Sequence, residues 1–201
     1  AAASSGQEPY SLAMILKAMQ AQLSGWKIEI IGTDISREIL KKAKAGLYSQ
    51  FDVQRGSPVQ LLVKYFKKVG EQWEIDPVIK SMVQYQEFNL LDSMNSLGTF
   101  DIVFCRNVLI YFDQQTKGDV LGRISKQMTD DGVLYLGGAE TVLGISDAFK
   151  PVQGLRGVYA QPAHMANNLG IATEGAAPAP TTTTGFAKPK HMLEGRPPKG
   201  A

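Results

Sequence analysis

The sequence is short of the residues that build metal centres and hydrolytic triads. It has one cysteine, Cys105, and two histidines, His164 and His191. A single cysteine excludes an intramolecular disulfide and points to a reducing compartment, so a cytoplasmic location is expected. A His/Cys zinc site lacks its donors, and no metal is expected. Both histidines fall in a carboxyl-terminal stretch of biased composition, which leaves a Ser–His–Asp arrangement without its base. No apolar run approaches the roughly 18 residues that a membrane span needs, so no membrane insertion is expected. Neither basic nor acidic residues are in marked excess. The 21 Lys and Arg against 19 Asp and Glu leave a net charge of +2, and nucleic acid is not an expected partner. The first residue is alanine rather than methionine, and motif-like sequence is reached within the first ten positions.

What is present is an ordinary globular balance, 44% hydrophobic and 20% charged residues in a chain of 201. That length holds one well-buried domain with a modest appendage. Composition changes near Pro162. Residues 163–201 carry five of the ten prolines, five glycines, the run Thr181 to Thr184 and a single aromatic, Phe186. Such a segment buries too little apolar surface to offset its ordering entropy. A folded domain over 1–161 and a disordered tail over 162–201 are therefore predicted. The tail reads equally well as a flexible tether or as a plain spacer.

Within the domain, strand and helix patterns alternate. Gln7 to Leu23 has apolar residues at helical spacing, with Ser5 as N-cap and Glu8 completing a capping box. Lys27 to Gly32 reads as a strand, and Ser36 caps a basic helix from Arg37 to Ala45 that stops at Gly46. Phe100 to Cys105 is an apolar strand expected to be covered on both faces. Asp113 starts a helix to about Met128, Asp131-Gly132 turns into a strand from Val133 to Leu136, and Phe149–Val152 with Gly157–Ala160 forms a terminal hairpin. Residues 47–88 interrupt the alternation. They read as a small inserted antiparallel lobe, with a helix from Ser57-Pro58 through Phe66, two strands around Gly70 and a strand over Met82–Phe88 returning to the main sheet. The whole predicts an α/β fold with a mainly parallel sheet.

In such a sheet, ligands bind at the carboxyl ends of the strands. The small-residue segment Ala1 to Gly6, which includes Ala2, leads into a helix N-terminus and lets a ligand approach the backbone. It has one glycine and no P-loop lysine, so pyrophosphate is weakly supported. Glu8 would repel a phosphate and favours an ammonium or sulfonium. Asp34 ends a strand and suits a ribose diol, or caps the helix that follows. Asn89 and Leu90 follow the lobe at the same edge, and Asn89 offers an amide near an expected adenine pocket or is a turn residue. Arg106 and Asn107 leave the apolar strand, with Tyr111 a few residues on, and Tyr111 could simply pack. Together these residues favour S-adenosylmethionine over a nicotinamide dinucleotide.

The segments AAASSGQEPYSLAM, IIGTDIS, FNLLD and FDIVFCRNVLIYFD, in this order, resemble the CheR-type chemotaxis receptor methyltransferases. The resemblance runs from Ala1 to about Gln161. It implies a Rossmann-like S-adenosylmethionine-dependent methyltransferase sheet with a small inserted antiparallel β-subdomain and a terminal antiparallel hairpin. The implied activity is methyl transfer to glutamate side chains on the cytoplasmic domain of membrane chemoreceptors, giving methyl esters and S-adenosylhomocysteine, by a monomeric enzyme. By resemblance, Ala2 lines the cofactor loop, Glu8 meets the cofactor's amino group and Asp34 the ribose. Asn89 and Leu90 flank the adenine, Arg106 and Asn107 close the site, and Arg106 and Tyr111 are the catalytic candidates. The lobe at 47–88 would contact the receptor. Its short Gly70 turn leans toward a type that needs no receptor tether.

The pattern also departs from the family. The basic helical domain, the T-x-F-F-R-type segment and the strand before AAASSG are not in this sequence, and Gln7 stands where Glu is commoner. The expectation is an N-terminally truncated member in which two neighbouring strands keep unpaired backbone groups. The competing readings are a non-catalytic cofactor-binding module of the same fold and a small-molecule methyltransferase, which would need no docking lobe.

Overall fold

The computed structural model describes residues 1–56 and 59–163. The tail expected over 162–201, with both histidines, lies almost entirely outside the described residues, as does the Ser57-Pro58 helix start. In chain order the elements are α1 (Gln7–Ala18), β1 (Ile30–Asp34), α2 (Arg37–Ala45), β2 (Leu47–Ser49), α3 (Gln50–Gly56), α4 (Val59–Tyr65), β3 (Phe66–Val69), β4 (Gln72–Ile75), α5 (Pro77–Ser81), β5 (Val83–Glu87), β6 (Phe100–Cys105), α6 (Gln114–Lys126), β7 (Met128–Leu136), β8 (Lys150–Pro151) and β9 (Val158–Ala160).

The helices follow their local chemistry. The Ser36 side chain accepts from Ile39 N at the start of α2, and Gly46 ends that helix in the left-handed region. Asp113 caps α6 by accepting from Thr116 N. The first helix departs from expectation at both ends. Its N-cap is Gly6 at φ 86°, with no side-chain cap, so Ser5 does not close a capping box. It stops at Ala18 because residues 19–22 are exposed and give the apolar stripe nothing to pack on.

The strands form three hydrogen-bonded groups. β1 pairs in parallel with β5. β6 pairs in parallel with β7, which continues antiparallel to β9 and then to β8. The lobe is the antiparallel sheet β2–β4–β3, with the turn at Gly70 joining β3 to β4 as the sequence predicts. Both parallel pairs are joined by crossovers that contain helices, as parallel strands require. Three expectations need correction. β1 begins at Ile30, not Lys27. Asp131-Gly132 lies inside β7, where the register slips between the pairings of Phe100 and Ile102, so it is a bulge and not a turn. β6 is not covered on both faces, and Ile102 is 56% exposed.

That exposure has a topological cause. Among the described residues, β1 bonds only to β5 and β6 only to β7, so each keeps one edge without a strand partner. These are the unpaired edges anticipated from the sequence. The first three residues lie between the two strands at their carboxyl ends. Ala3 N donates to Thr33 O at 2.7 Å, and the Ala1 nitrogen donates to Phe104 O at 2.5 Å.

Two hydrophobic clusters flank this seam. One gathers Tyr10, Ala13, Met14, Leu40, Ile75, Ile79 and Tyr85 under α1 and α2. The other gathers Cys105, Val120, Leu121, Ile124, Leu134, Leu136 and Phe149 around β6, β7 and α6. Each fully buried aliphatic or aromatic side chain contributes about 1.5–3 kcal/mol. Ala3 belongs to the first cluster, and Ala1 packs against the second. The amino-terminal segment therefore ties the two halves together where the strands end.

Candidate active site

The loop before α1 is built by unusual backbone. Ala2 (φ 54°) and Ser4 (φ 50°) are left-handed without being glycine, which calls for compensating contacts. Asp34 supplies one, because Ser4 N donates to its Oδ2 at 3.0 Å. Its Oδ1 accepts from Ser36 N at 2.9 Å. Asp34 thus stands at the end of β1 and holds both the loop and the entry to α2. Two tyrosines hold the loop from the other side. Tyr48 donates its hydroxyl to Ser5 O at 2.8 Å, and Tyr85 donates to Gly6 O at 3.4 Å. A Cβ on Gly6 would meet the Tyr85 hydroxyl at 2.4 Å, so no larger residue fits there. Burial pushes the Tyr10, Tyr48 and Tyr85 phenols upward, which keeps them as neutral donors.

Glu8 sits in the first turn of α1, where a carboxylate suits the helix dipole. Its Oε1 accepts from Arg106 Nη1 at 2.6 Å. This ion pair joins the amino-terminal loop to the segment leaving β6. Asn107, next in that segment, is left-handed at φ 59°. A short 3₁₀ turn then covers Leu109–Tyr111, and Tyr111 is 79% exposed. On the other strand end, β5 runs beside β1 with Glu87 opposite Asp34, and Phe88 N donates to Asp34 O. Asn89 leaves the sheet at the same edge as Asp34. Its Oδ1 accepts from Leu91 N at 3.0 Å, which realises the turn reading. Leu90 is buried in the second cluster, and its carbonyl accepts from Arg123 Nη2 at 3.2 Å.

The structure therefore brings Glu8 and Arg106 into contact, ties Asp34 to the loop that contains Ala2, and places Asn107 and Tyr111 on the same segment as Arg106. Among the described residues no hydrogen bond links Asn89 or Leu90 to the ion pair; they share the sheet edge with it. Among the described residues, no group of three or more His, Cys, Asp and Glu side chains is arranged to hold a metal. No described helix is long and apolar enough to cross a membrane.

One residue at this edge escaped sequence reasoning. Glu140, in the loop after β7, is 9% exposed and accepts four backbone N–H bonds, from Gly137, Asn107, Val108 and Leu109, at 2.7–2.9 Å. The available signal was its place just beyond the carboxyl end of a strand, the same criterion that picked out Asp34 and Arg106.

The parallel α/β edge carries a carboxylate at the end of β1, an acidic first helical turn in α1 and Arg-Asn directly after β6, chemistry suited to a nucleotide-type cofactor. The chain belongs to the family described as CheR methyltransferase, SAM binding domain, whose model matches residues 1–158. S-adenosylmethionine is therefore its cofactor. The chain is 43% identical over 165 residues to chemotaxis protein methyltransferase Cher2 of Pseudomonas putida, covering 80% of this chain and 60% of that protein. It is 43% identical over 163 residues to chemotaxis protein methyltransferase 1 of Pseudomonas aeruginosa, covering 79% and 59%. The chain thus spans about 60% of the length of these relatives. A solved S-adenosylmethionine-dependent methyltransferase from Clostridium acetobutylicum aligns with a TM-score of 0.36 and 14% identity over 67% of this chain and 39% of that one, a likeness too distant to bear on function.

Proposed function

We propose that this chain carries the cofactor half of an enzyme that methylates glutamate side chains on the cytoplasmic domain of chemotaxis receptors, yielding methyl esters and S-adenosylhomocysteine. The observation that carries the proposal is the Glu8–Arg106 pair at the sheet's carboxyl edge. An α-amino acid end presents one ammonium and one carboxylate, and this pair offers the two opposite charges side by side. The rest of the donor set fits the same cofactor. Asp34 is a carboxylate at the ribose position, Leu90 is an apolar residue at the adenine position, and Ala2 keeps its part of the loop small.

When bound, S-adenosylmethionine supplies a methyl group on a sulfonium, ready for in-line displacement by a carboxylate. A glutamate acceptor is already ionised at neutral pH, so the chain needs no strong general base. Its residues bind and orient. Glu8 holds the ammonium, Asp34 the ribose hydroxyls, and Asn89 and Leu90 the base, while Asn107 closes the site. Arg106 organises the carboxylate-binding region. Tyr111, exposed at the site mouth, orients the methyl or the acceptor. Positioning of this kind and exclusion of water supply the rate.

The antiparallel sheet β2–β4–β3 is the proposed docking element for the receptor, and a monomer in the cytoplasm is the proposed working form. The test is transfer of tritiated methyl to receptor-bearing membranes. Base-labile label on the receptors supports the proposal. Cofactor binding without any transfer would replace it with the regulatory-module reading.

A further inference from the structure

We infer that Glu140 is the positioning residue of this site: its carboxylate sets the loop that carries Arg106, Asn107 and Tyr111. The inference rests on the reading that this loop belongs to the cofactor site.

The geometry is specific. Oε2 accepts from Gly137 N at 2.7 Å and from Asn107 N at 2.8 Å. Oε1 accepts from Val108 N at 2.9 Å and Leu109 N at 2.8 Å. No ion pair reaches Glu140 among the described residues, and four backbone N–H groups point at its carboxyl group. Three of the four donors are consecutive. They converge because Asn107 is left-handed, which turns successive N–H groups into one concavity that fits an anion. A non-glycine residue holds that conformation only where its surroundings over-determine it. Here the surroundings are the Glu140 carboxylate, which also satisfies the free donors at the start of the 3₁₀ turn Leu109–Tyr111.

Glu140 is itself held in place. Its N donates to Gly137 O at 3.0 Å, and Tyr159 donates its hydroxyl to Glu140 O at 3.4 Å. Gly137 leaves the necessary room, since a Cβ there would come within 2.8 Å of Oε2 and 3.0 Å of Asn107 N. The ends of β6 and β7 are thus locked by one side chain that, among the described residues, makes no hydrogen bond to Glu8 or Tyr111. Because Arg106 immediately precedes Asn107, the direction of its guanidinium toward Glu8 depends on that lock. Pre-set first contacts of this kind are what a binding site requires of its supporting residues.

The experiment is Glu140→Gln. It keeps the size and one acceptor oxygen but turns an NH₂ group toward two N–H donors. S-adenosylhomocysteine affinity is measured by titration calorimetry, and backbone amide shifts by ¹H–¹⁵N correlation spectra without ligand. The expected result is a loss of affinity of tenfold or more in a folded protein. The shift changes should concentrate at Asn107, Val108, Leu109 and Gly137. Unchanged affinity, with or without a lower melting temperature, overturns the inference. If Glu140→Gln does not fold, Gly137→Ala takes its place, because it displaces the carboxylate without removing the charge, and the same loss is expected. Unfolding of both variants would make Glu140 a determinant of the whole fold and also overturn the inference. Failure of the unmodified protein to bind S-adenosylhomocysteine refutes the site reading instead, and the amide shifts alone then decide whether Glu140 holds the loop.

Discussion

The guanidinium of Arg106 and the carboxylate of Glu8 meet at 2.6 Å although 98 residues separate them in sequence. Their side chains are 45% and 29% exposed. A pair this open to water contributes at most about 1 kcal/mol to stability. On the proposed reading its value lies in binding, where each charge would meet its counterpart on a zwitterionic ligand end. Charge-assisted hydrogen bonds contribute about 1.5–3 kcal/mol. Arg106→Ala is therefore expected to lower urea stability by no more than about 1 kcal/mol, and to weaken S-adenosylhomocysteine by about tenfold or more. Denaturant melts and calorimetry read the two effects separately. A large stability loss with unchanged affinity would make the pair structural.

Asp34→Ala removes the acceptor for both Ser4 N and Ser36 N. At about 1 kcal/mol for each hydrogen bond, the fold should lose roughly 2 kcal/mol and the amino-terminal loop should loosen. Cofactor affinity should fall as well. Calorimetry showing full affinity would remove the ribose assignment and leave Asp34 as a loop and helix anchor.

Tyr48→Phe isolates the support behind that loop. The ring stays buried in an edge-on packing with Tyr10, so only the hydroxyl bond to Ser5 O is lost. A part-buried carbonyl left without its donor costs about 1–3 kcal/mol. The melting temperature should fall, and calorimetry should also report weaker cofactor binding, since Ser5 lies between Ala2 and Glu8. A lower melting temperature with no change in affinity would confine Tyr48 to a packing role.

Legibility in the sequence followed the reach of each signal. The span of α2 could be read because its start and stop signals, Ser36 and Gly46, flank it directly. The span of β6 could be read from its apolar run. The strand β2 and the five-residue helix α5 were too short to show any periodicity, and both are held by partners in the lobe and core. The exposed side of β6 was illegible because burial depends on neighbouring strands and not on the strand's own composition. In the site, strand ends pointed to Glu8, Asp34 and Arg106, whereas Asp34's hold on Ser4 depends on a left-handed backbone 30 residues away. Glu140 could be placed beyond a strand end, but its role was hidden for the same reason. Its partners Asn107 to Leu109 lie more than 30 residues upstream and offer only backbone N–H groups, which carry no sequence signature.

Cys105 is fully buried at the end of β6, and burial pushes its thiol up from the ordinary value near 9 to about 12. The native thiol should resist iodoacetamide at pH 8, while the urea-unfolded chain reacts freely. The same shift has a stability consequence. Between pH 9 and pH 12 the unfolded thiol has released its proton and the native one has not, so the unfolded state binds fewer protons and stability falls as pH rises. The slope from this one group is about 1.4 kcal/mol per pH unit. Melts of Cys105→Ala at pH 8, 9 and 10 should show a shallower decline than the unmodified protein. Equal slopes would mean that the native thiol titrates near its ordinary value.

Tyr111 is the candidate that the fold least needs. It is 79% exposed on a single 3₁₀ turn, and its hydroxyl has no hydrogen-bond partner among the described residues. Tyr111→Phe should therefore leave stability within about 0.5 kcal/mol, as for most surface substitutions away from special features. If the hydroxyl orients the methyl or the acceptor, turnover should fall with little change in S-adenosylhomocysteine affinity, because such a contact acts at the reacting geometry rather than in ground-state binding. Initial rates at saturating cofactor, set beside calorimetric affinity, separate the two. Unchanged turnover would remove the hydroxyl from the reaction and leave Arg106 as the only catalytic candidate on the segment that Glu140 anchors.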